Sequence, residues 1–294
     1  MGENGNHTST TAGAAAAAVA LLDDQQLFAD VLCAVDGTPE SLLAVEQAAW
    51  LAGPGAHLTV LVVTAHRHEA DRRSPAIGPA ATKRILDSAA ERAERAGAHV
   101  ALEVDPAGPP AQVVLEWAAG RSMLAIGAPS TSWFSGLFSG GVAVHAESTL
   151  PTPMLIARAT APRDGERPRM LLASDGMAGS DELVDLGGRL ARAREAHVTL
   201  LHAAGGHLAA RSRRLDAQHA RLEQVLPWGA EVRVQHGAAR TVIVECAGEL
   251  HTALIVMSSR RLHGVRAVGS VSRRVVHQGH CSVLLVPPET HFPG

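Results

Sequence analysis

Ten short apolar runs punctuate the chain, and they fall into two sets of five. VLCAVDGTPES (31–41) opens the first set, followed by LTVLVV (58–63), HVALEV (99–104), LAIG (124–127) and MLIA (154–157). MLLASDGMAGS (170–180) opens the second, followed by HVTLLHA (197–203), EVRVQH (231–236), LIVM (254–257) and VLLV (283–286). The runs are rich in Val, Leu and Ile with little alternation, which predicts strands covered on both faces. Helical spacing separates them. Leu183, Leu186 and Leu190 share one helix face, as do Ile243, Ala247 and Leu250. Alternating strand and helix, five strands per set, predicts an α/β chain of two doubly wound five-stranded parallel sheets with right-handed crossovers.

The two sets are one unit written twice. Asp36-Gly37 superposes on Asp175-Gly176 and Ser41 on Ser180 at a shift of 139 residues, which falls to 129 at the last run. Most of the 10 extra residues of the first copy lie in RHEADRRSPAIGPA (67–80), which reads as a surface loop. ATAPRDGERPR (159–169) is polar, carries two prolines and reads as a linker. The expected organisation is a disordered tail over 1–27, a first domain over 28–160 and a second over 168–288.

Composition narrows the function classes. A chain of 294 residues supports about two domains with their own cores. Aromatic residues make up 3% with no Tyr, which supplies poorly the stacking platforms of single-strand nucleic-acid binders. The net charge of −3 is split unevenly: residues 1–160 carry 9 Lys and Arg against 16 Asp and Glu, and residues 161–294 carry 17 against 13. Neither half has a nucleic-acid footprint, so no nucleic-acid partner is expected. Cys33, Cys246 and Cys281 form no paired framework and suit a reducing compartment. The apolar run 14–22 has no basic residue before it, the first being Arg67, and is too short to span a bilayer. A soluble cytoplasmic protein without membrane association is expected.

Candidate chemistry sits at the carboxyl ends of the strands, where open parallel sheets bind ligands. Val35, Asp36 and Gly37 end the first strand of copy one, and Ala173, Ser174, Asp175 and Gly176 end that of copy two. Residue types alone leave two readings open for each aspartate: a hydrogen-bond acceptor for a ligand's nucleoside portion, or a turn that caps the next helix. The other element precedes the last helix. In copy two, Gly269-Ser270 stands just before the periodic Val271, Val275 and Val276, with Ser272 adding a hydroxyl. A glycine there admits a phosphate to the backbone N–H groups of a helix start. Arg260, Arg261, Arg266, Arg273 and Arg274 crowd the same stretch, most of them read as a solvated face.

This doubled pattern resembles the universal stress protein family over roughly residues 28–288. Members open with a strand ending in Asp-Gly. The ATP-binding ones carry Gly-x2-Gly-x9-Gly-Ser/Thr before a last helix and a final strand. Both copies depart from that motif. Copy one has Gly127 and Gly140 at the right spacing, but Ser130 replaces the middle glycine and Gly141, followed by Val142, replaces the Ser/Thr. Copy two keeps Gly269-Ser270, with Ser259 and Val256 falling where the other glycines belong. The loop 128–148 has no Lys or Arg but holds Trp133, Phe134 and Phe138, read as packing between domains or subunits. The second copy is therefore expected to hold phosphates better than the first.

The resemblance implies a stress-response regulatory module rather than an enzyme. It implies ATP or another adenine nucleotide as ligand, with Mg²⁺ accompanying ATP and no other metal. It also implies that the two copies pair with each other or that the chain forms a homodimer. A slow ATP hydrolase is the alternative, with only Asp36 or Asp175 to bind Mg²⁺ or position water; a nucleotide-independent adaptor is another. Lys83 is the only lysine and no GxxxxGK[ST] occurs, which excludes a P-loop NTPase. SGGVAV (139–144) lacks the acidic residue and the position of a pyrophosphatase loop. The 16 histidines show no ligand spacing, His66/His68 and His277/His280 included, and read as scattered surface residues. His202, at the end of a strand beside the expected cleft, stands apart from them.

Overall fold

A computed structural model describes residues 27–64, 77–128, 152–158, 167–204, 208–258 and 271–287. The first copy runs β1 (Asp30–Ala34), α1 (Pro39–Ala52), β2 (His57–Val63), α2 (Pro79–Arg95), β3 (His99–Asp105), α3 (Pro110–Ala118), β4 (Met123–Gly127) and β5 (Met154–Ala157). The second runs β6 (Arg169–Ser174), a 3₁₀ turn (Ala178–Ser180), α4 (Asp181–Ala193), β7 (His197–Ala204), α5 (Leu208–Val225), β8 (Ala230–His236), α6 (Ala239–Glu249), β9 (Leu254–Ser258), α7 (Val271–Gln278) and β10 (Ser282–Val286).

Local chemistry sets the helix starts. Thr38 caps α1 by accepting the Ser41 N–H, with Pro39 as the first helical residue; α2 and α3 also begin at prolines, Pro79 and Pro110. The leucines spaced along α4 are buried, Leu183, Leu186 and Leu190 each at 1% exposure or less. Of α6, Ile243 and Ala247 are buried and Leu250 packs against the core from the cap position.

All ten strands join one sheet in the order β3-β2-β1-β4-β5-β10-β9-β6-β7-β8. Within each copy every pairing is parallel; β5 and β10 meet antiparallel. At that seam Leu155 faces Leu284, its own counterpart in the repeat, flanked by Ile156 with Val283 and Met154 with Leu285. The contact is self-complementary, as between subunits related by a two-fold axis, but here within one chain. Going from β1 to β3 the chain steps one way across the sheet, and from β3 to β5 it steps back. Right-handed crossovers therefore put α1 and α2 on one face and α3 on the other, and in copy two α4 and α5 opposite α6 and α7. The central strands β1, β4, β6 and β9 are covered on both faces and bury nearly every residue.

Polar links cross the seam unevenly. Ser282 Oγ donates to Gln47 Oε1 at 2.5 Å and accepts the Arg158 N–H at 3.0 Å, while Gln47 Nε2 donates to Arg158 O at 3.0 Å. Arg158 Nη2 reaches Val276 O in α7 at 2.6 Å, and Arg194 Nη2 reaches Leu51 O in α1 at 3.1 Å. Each guanidinium thus meets a carbonyl near the C-terminus of a helix from the other copy, where a cation is favoured.

Strand pairing corrects two sequence correspondences. Val100 and Ala230 hold equivalent places, since they pair with Leu58 and Val198, so HVALEV aligns two residues earlier in copy two than EVRVQH. Likewise Ile126 pairs with Ala34 and Met257 with Ala173, so the counterpart of Gly127 is Ser258. Val256 is a fully buried mid-strand residue and cannot stand in a phosphate loop.

The tail (all but Leu27), most of the 67–80 loop and most of the 159–169 linker lie outside the described residues. So do Ser130, Trp133, Phe134, Phe138, Gly140, Gly141, Val142, Ser259, Gly269 and Ser270.

Candidate functional site

Asp36-Gly37 and Asp175-Gly176 each leave the carboxyl end of the strand at the centre of their copy. Both glycines have positive φ, 85° and 69°, the backbone state that makes glycine the fitting residue in the turn. Asp36 Oδ1 accepts the Thr38 N–H at 3.0 Å and the Thr38 hydroxyl at 2.6 Å. Asp175 Oδ1 accepts the Met177 N–H at 2.9 Å and the Ser180 hydroxyl at 2.8 Å. The turn-forming role that the sequence left open is therefore realised in both copies.

A serine completes each turn. Ser41 Oγ accepts the Asp36 N–H at 3.3 Å and Ser180 Oγ accepts the Asp175 N–H at 3.4 Å, and both serines are buried. Sequence reading matched Ser41 with Ser180 but gave them no role; the identical spacing from the aspartate was the available signal.

In copy one the end of β4 closes on the same turn. A Cβ added to Gly127 would lie 2.5 Å from the Glu40 C and Ser41 N atoms, so the strand end and the first turn of α1 touch through backbone. Asp36, Gly37 and Gly127 are thus brought together around Ser41. In copy two Ser258 replaces that glycine, and a 3₁₀ turn precedes α4 where α1 begins directly. Val35, buried in the core, and Ala173, packed against the core, precede their turns in the chain. Val271 and Ser272 open α7.

Behind the second turn runs a hydrogen-bonded chain that the sequence did not reveal. Ser174 Oγ accepts the Gly176 N–H at 3.0 Å and donates to Gln218 Oε1 at 2.7 Å. Gln218 Nε2 donates to Asp181 Oδ1 at 2.7 Å, and Asp181 also meets Arg214. His202 Nδ1 lies 3.0 Å from Ser174 O. Nothing in the helical pattern of 208–225 distinguishes Gln218 from its neighbours.

The thiols are not part of this chemistry. Burial pushes Cys33 and Cys281 up to about 12 and raises Cys246, far from the range of a reactive thiolate. Among the described residues no group of three or more His, Cys, Asp or Glu could hold a metal ion, and no helix is long and apolar enough to cross a membrane.

Comparison with known proteins agrees with the architecture. A universal stress protein from Archaeoglobus fulgidus DSM 4304 is 16% identical and superposes with a TM-score of 0.68, covering 90% of this chain and 98% of its own. A putative universal stress protein from Pseudomonas aeruginosa UCBPP-PA14, also 16% identical, gives 0.62 over 90% and 95%. A universal stress protein solved in complex with cAMP is 26% identical over 42% of this chain and 98% of its own, with a TM-score of 0.38. No curated protein matches. The model of the universal stress protein family matches twice, over residues 28–158 and 166–287, and with two matches covering most of its length the chain belongs to that family.

Proposed function

We propose that this chain is a regulatory module that binds an adenine nucleotide at the carboxyl edge of its second copy and does not turn it over. The reading is carried by topology. The Asp175-Gly176 turn leaves β6, β6 pairs with β9, and the chain from β9 enters α7 at Val271, directly after Gly269-Ser270 in sequence. That order supports reading the acidic turn and the helix that follows Gly269-Ser270 in sequence as the two sides of a ligand site at the strand junction, the usual place for a ligand in a doubly wound sheet. The arginines 260, 261, 266, 273 and 274 supply positive charge to this half, whereas the corresponding stretch 128–148 of copy one has none. Ligand binding there would shift the surface offered to partners. The module is taken to work in the cytoplasm, with its copies paired through β5 and β10.

Mass spectrometry of the purified protein for retained nucleotide, followed by a phosphate-release assay with ATP and Mg²⁺, tests this. Bound or bindable adenine nucleotide without phosphate release is the expected result. Steady release that Asp175→Ala abolishes would instead make the protein a slow hydrolase. No binding at any concentration would make it a nucleotide-independent adaptor.

A further inference from the structure

The sheet ends in an edge strand on each side, β3 of the first copy and β8 of the second. Each pairs with one neighbour among the described residues, so its outer N–H and C=O groups are offered to a further strand. Since Val100 and Ala230 hold equivalent places, Leu102 and Val104 are the counterparts of Val232 and Val234. These four are 36–44% exposed, and among the described residues Met177 is the one other large apolar side chain so exposed. Both copies thus leave the same two apolar positions of the edge strand uncovered.

Between the two apolar positions the charge changes sign: β3 has Glu103 where β8 has Arg233. The two copies run antiparallel, as the β5–β10 seam shows. Set side by side with the same face up, one chain therefore brings its β3 antiparallel to β8 of the next. In the register that puts Leu102 opposite Val234 and Val104 opposite Val232, Glu103 falls opposite Arg233, and opposed residues share a face. Asp105 then falls opposite Glu231, but each has a partner in its own chain, the Trp117 indole N–H at 2.8 Å and Arg233 Nε at 2.7 Å. A guanidinium carries five N–H donors, so Arg233 can take a second carboxylate. The other pairings oppose like charges: β3 with β3 in the register matching the apolar pairs sets Glu103 against Glu103, and β8 with β8 sets Arg233 against Arg233. The halves of the chain agree, with 16 acidic against 9 basic residues in 1–160 and 17 basic against 13 acidic in 161–294.

We infer that the two edges form one head-to-tail interface: β3 of one chain adds antiparallel to β8 of a second copy of this chain, so that the ten-stranded sheet continues from molecule to molecule. Each junction covers the four apolar side chains, and the Glu103–Arg233 pair selects the unlike edge as neighbour. The contact is heterologous, so a pair of chains still offers one edge at each end. Sheet twist turns successive chains, and the assembly closes into a ring or grows as a filament according to that rotation. The interface is independent of the nucleotide reading above.

Sedimentation velocity of the full chain over a range of concentrations tests the inference. Species larger than a dimer that build up with concentration are expected. Leu102→Lys blocks one edge and Val234→Lys the other. Each variant alone should stay a single chain, and an equal mixture should form a dimer that goes no further, joined by the one intact β3 and the one intact β8. Glu103→Arg, which sets a like charge against Arg233, should weaken self-association about tenfold. A thermal melt of each variant, altered at an exposed position, separates loss of fold from loss of association. A wild type that stays a single chain at every concentration overturns the inference, as does a mixture that does not pair. A blocked variant that still dimerises alone would mean that like edges meet, and would overturn it too.

Discussion

Replacing Ser282 by alanine should loosen the protein at the point where its two copies are joined. Ser282 is 2% exposed and opens β10. Its hydroxyl closes a ring of three hydrogen bonds between α1, the end of β5 and β10, joining residues 235 apart in sequence. The alanine variant deletes the 2.5 Å bond to Gln47 Oε1 and the 3.0 Å bond from the Arg158 N–H, and leaves both partners in place. Each bond contributes about 1 kcal/mol net, and a buried partner left unsatisfied costs about 1–3 kcal/mol. Gln47 is half-buried and can recover water, which keeps its share near the lower end. The expected loss is about 2–3 kcal/mol, read as a lower urea midpoint at unchanged slope. Gln47→Ala and the double variant complete a cycle, with a coupling of about 1 kcal/mol expected for groups in direct contact. A loss below about 0.5 kcal/mol, or additive single effects, would show that the ring does not hold the copies together.

Further outcomes follow from particular contacts. Gly127→Ala forces a Cβ to within 2.5 Å of the α1 backbone and should cost about 1–3 kcal/mol by equilibrium unfolding; a neutral effect would mean that strand and helix do not touch there. Cys33 and Cys281, held near 12 by burial, should resist a thiol reagent at pH 8 in the native state and react once unfolded. Because their folded values are raised, the stability they confer is full below the ordinary value of 9.0 and is lost as pH rises toward 12, so Cys33→Ala with Cys281→Ala should flatten the alkaline limb of a melting-temperature profile. Asp105 is held below the ordinary carboxylate value by the Ala107 N–H and then by the Trp117 indole N–H. Its contribution is present above the unfolded value and fades as pH falls through the folded one, and the Trp117 Nε1–H resonance should shift in that acidic window.

The duplication was legible because its signals are local. Two-faced burial makes β1, β4, β6 and β9 read as continuous apolar runs, and each Asp-Gly turn needs a glycine that the chain supplies. Register was less legible at the edges. β8 alternates polar and apolar residues and leaves Val232 and Val234 36% and 44% exposed, so its pattern constrains alignment weakly and the match with β3 slipped by two residues. Counting back from Gly269 placed a glycine position at Val256 because motif spacing assumes a fixed loop length; sheet pairing puts that position at Ser258. Pairing of the copies was expected only through the family resemblance, and the polar contacts at the seam were not legible. Gln47, Arg158, Arg194 and Ser282 are unremarkable in sequence, and their meaning arises only when residues more than 100 positions apart meet. His202 stood out as a strand-end histidine, but its burial and its contact with Ser174 O needed coordinates.

The central claim is that of two copies of one fold, the second carries the ligand. Calorimetric titration of ATP into the full chain and into Asp36→Asn and Asp175→Asn, which keep an oxygen to accept the turn hydrogen bonds, tests it most directly. The account predicts one site per chain, weakened by Asp175→Asn and unaffected by Asp36→Asn; a site that responds only to Asp36→Asn would contradict it.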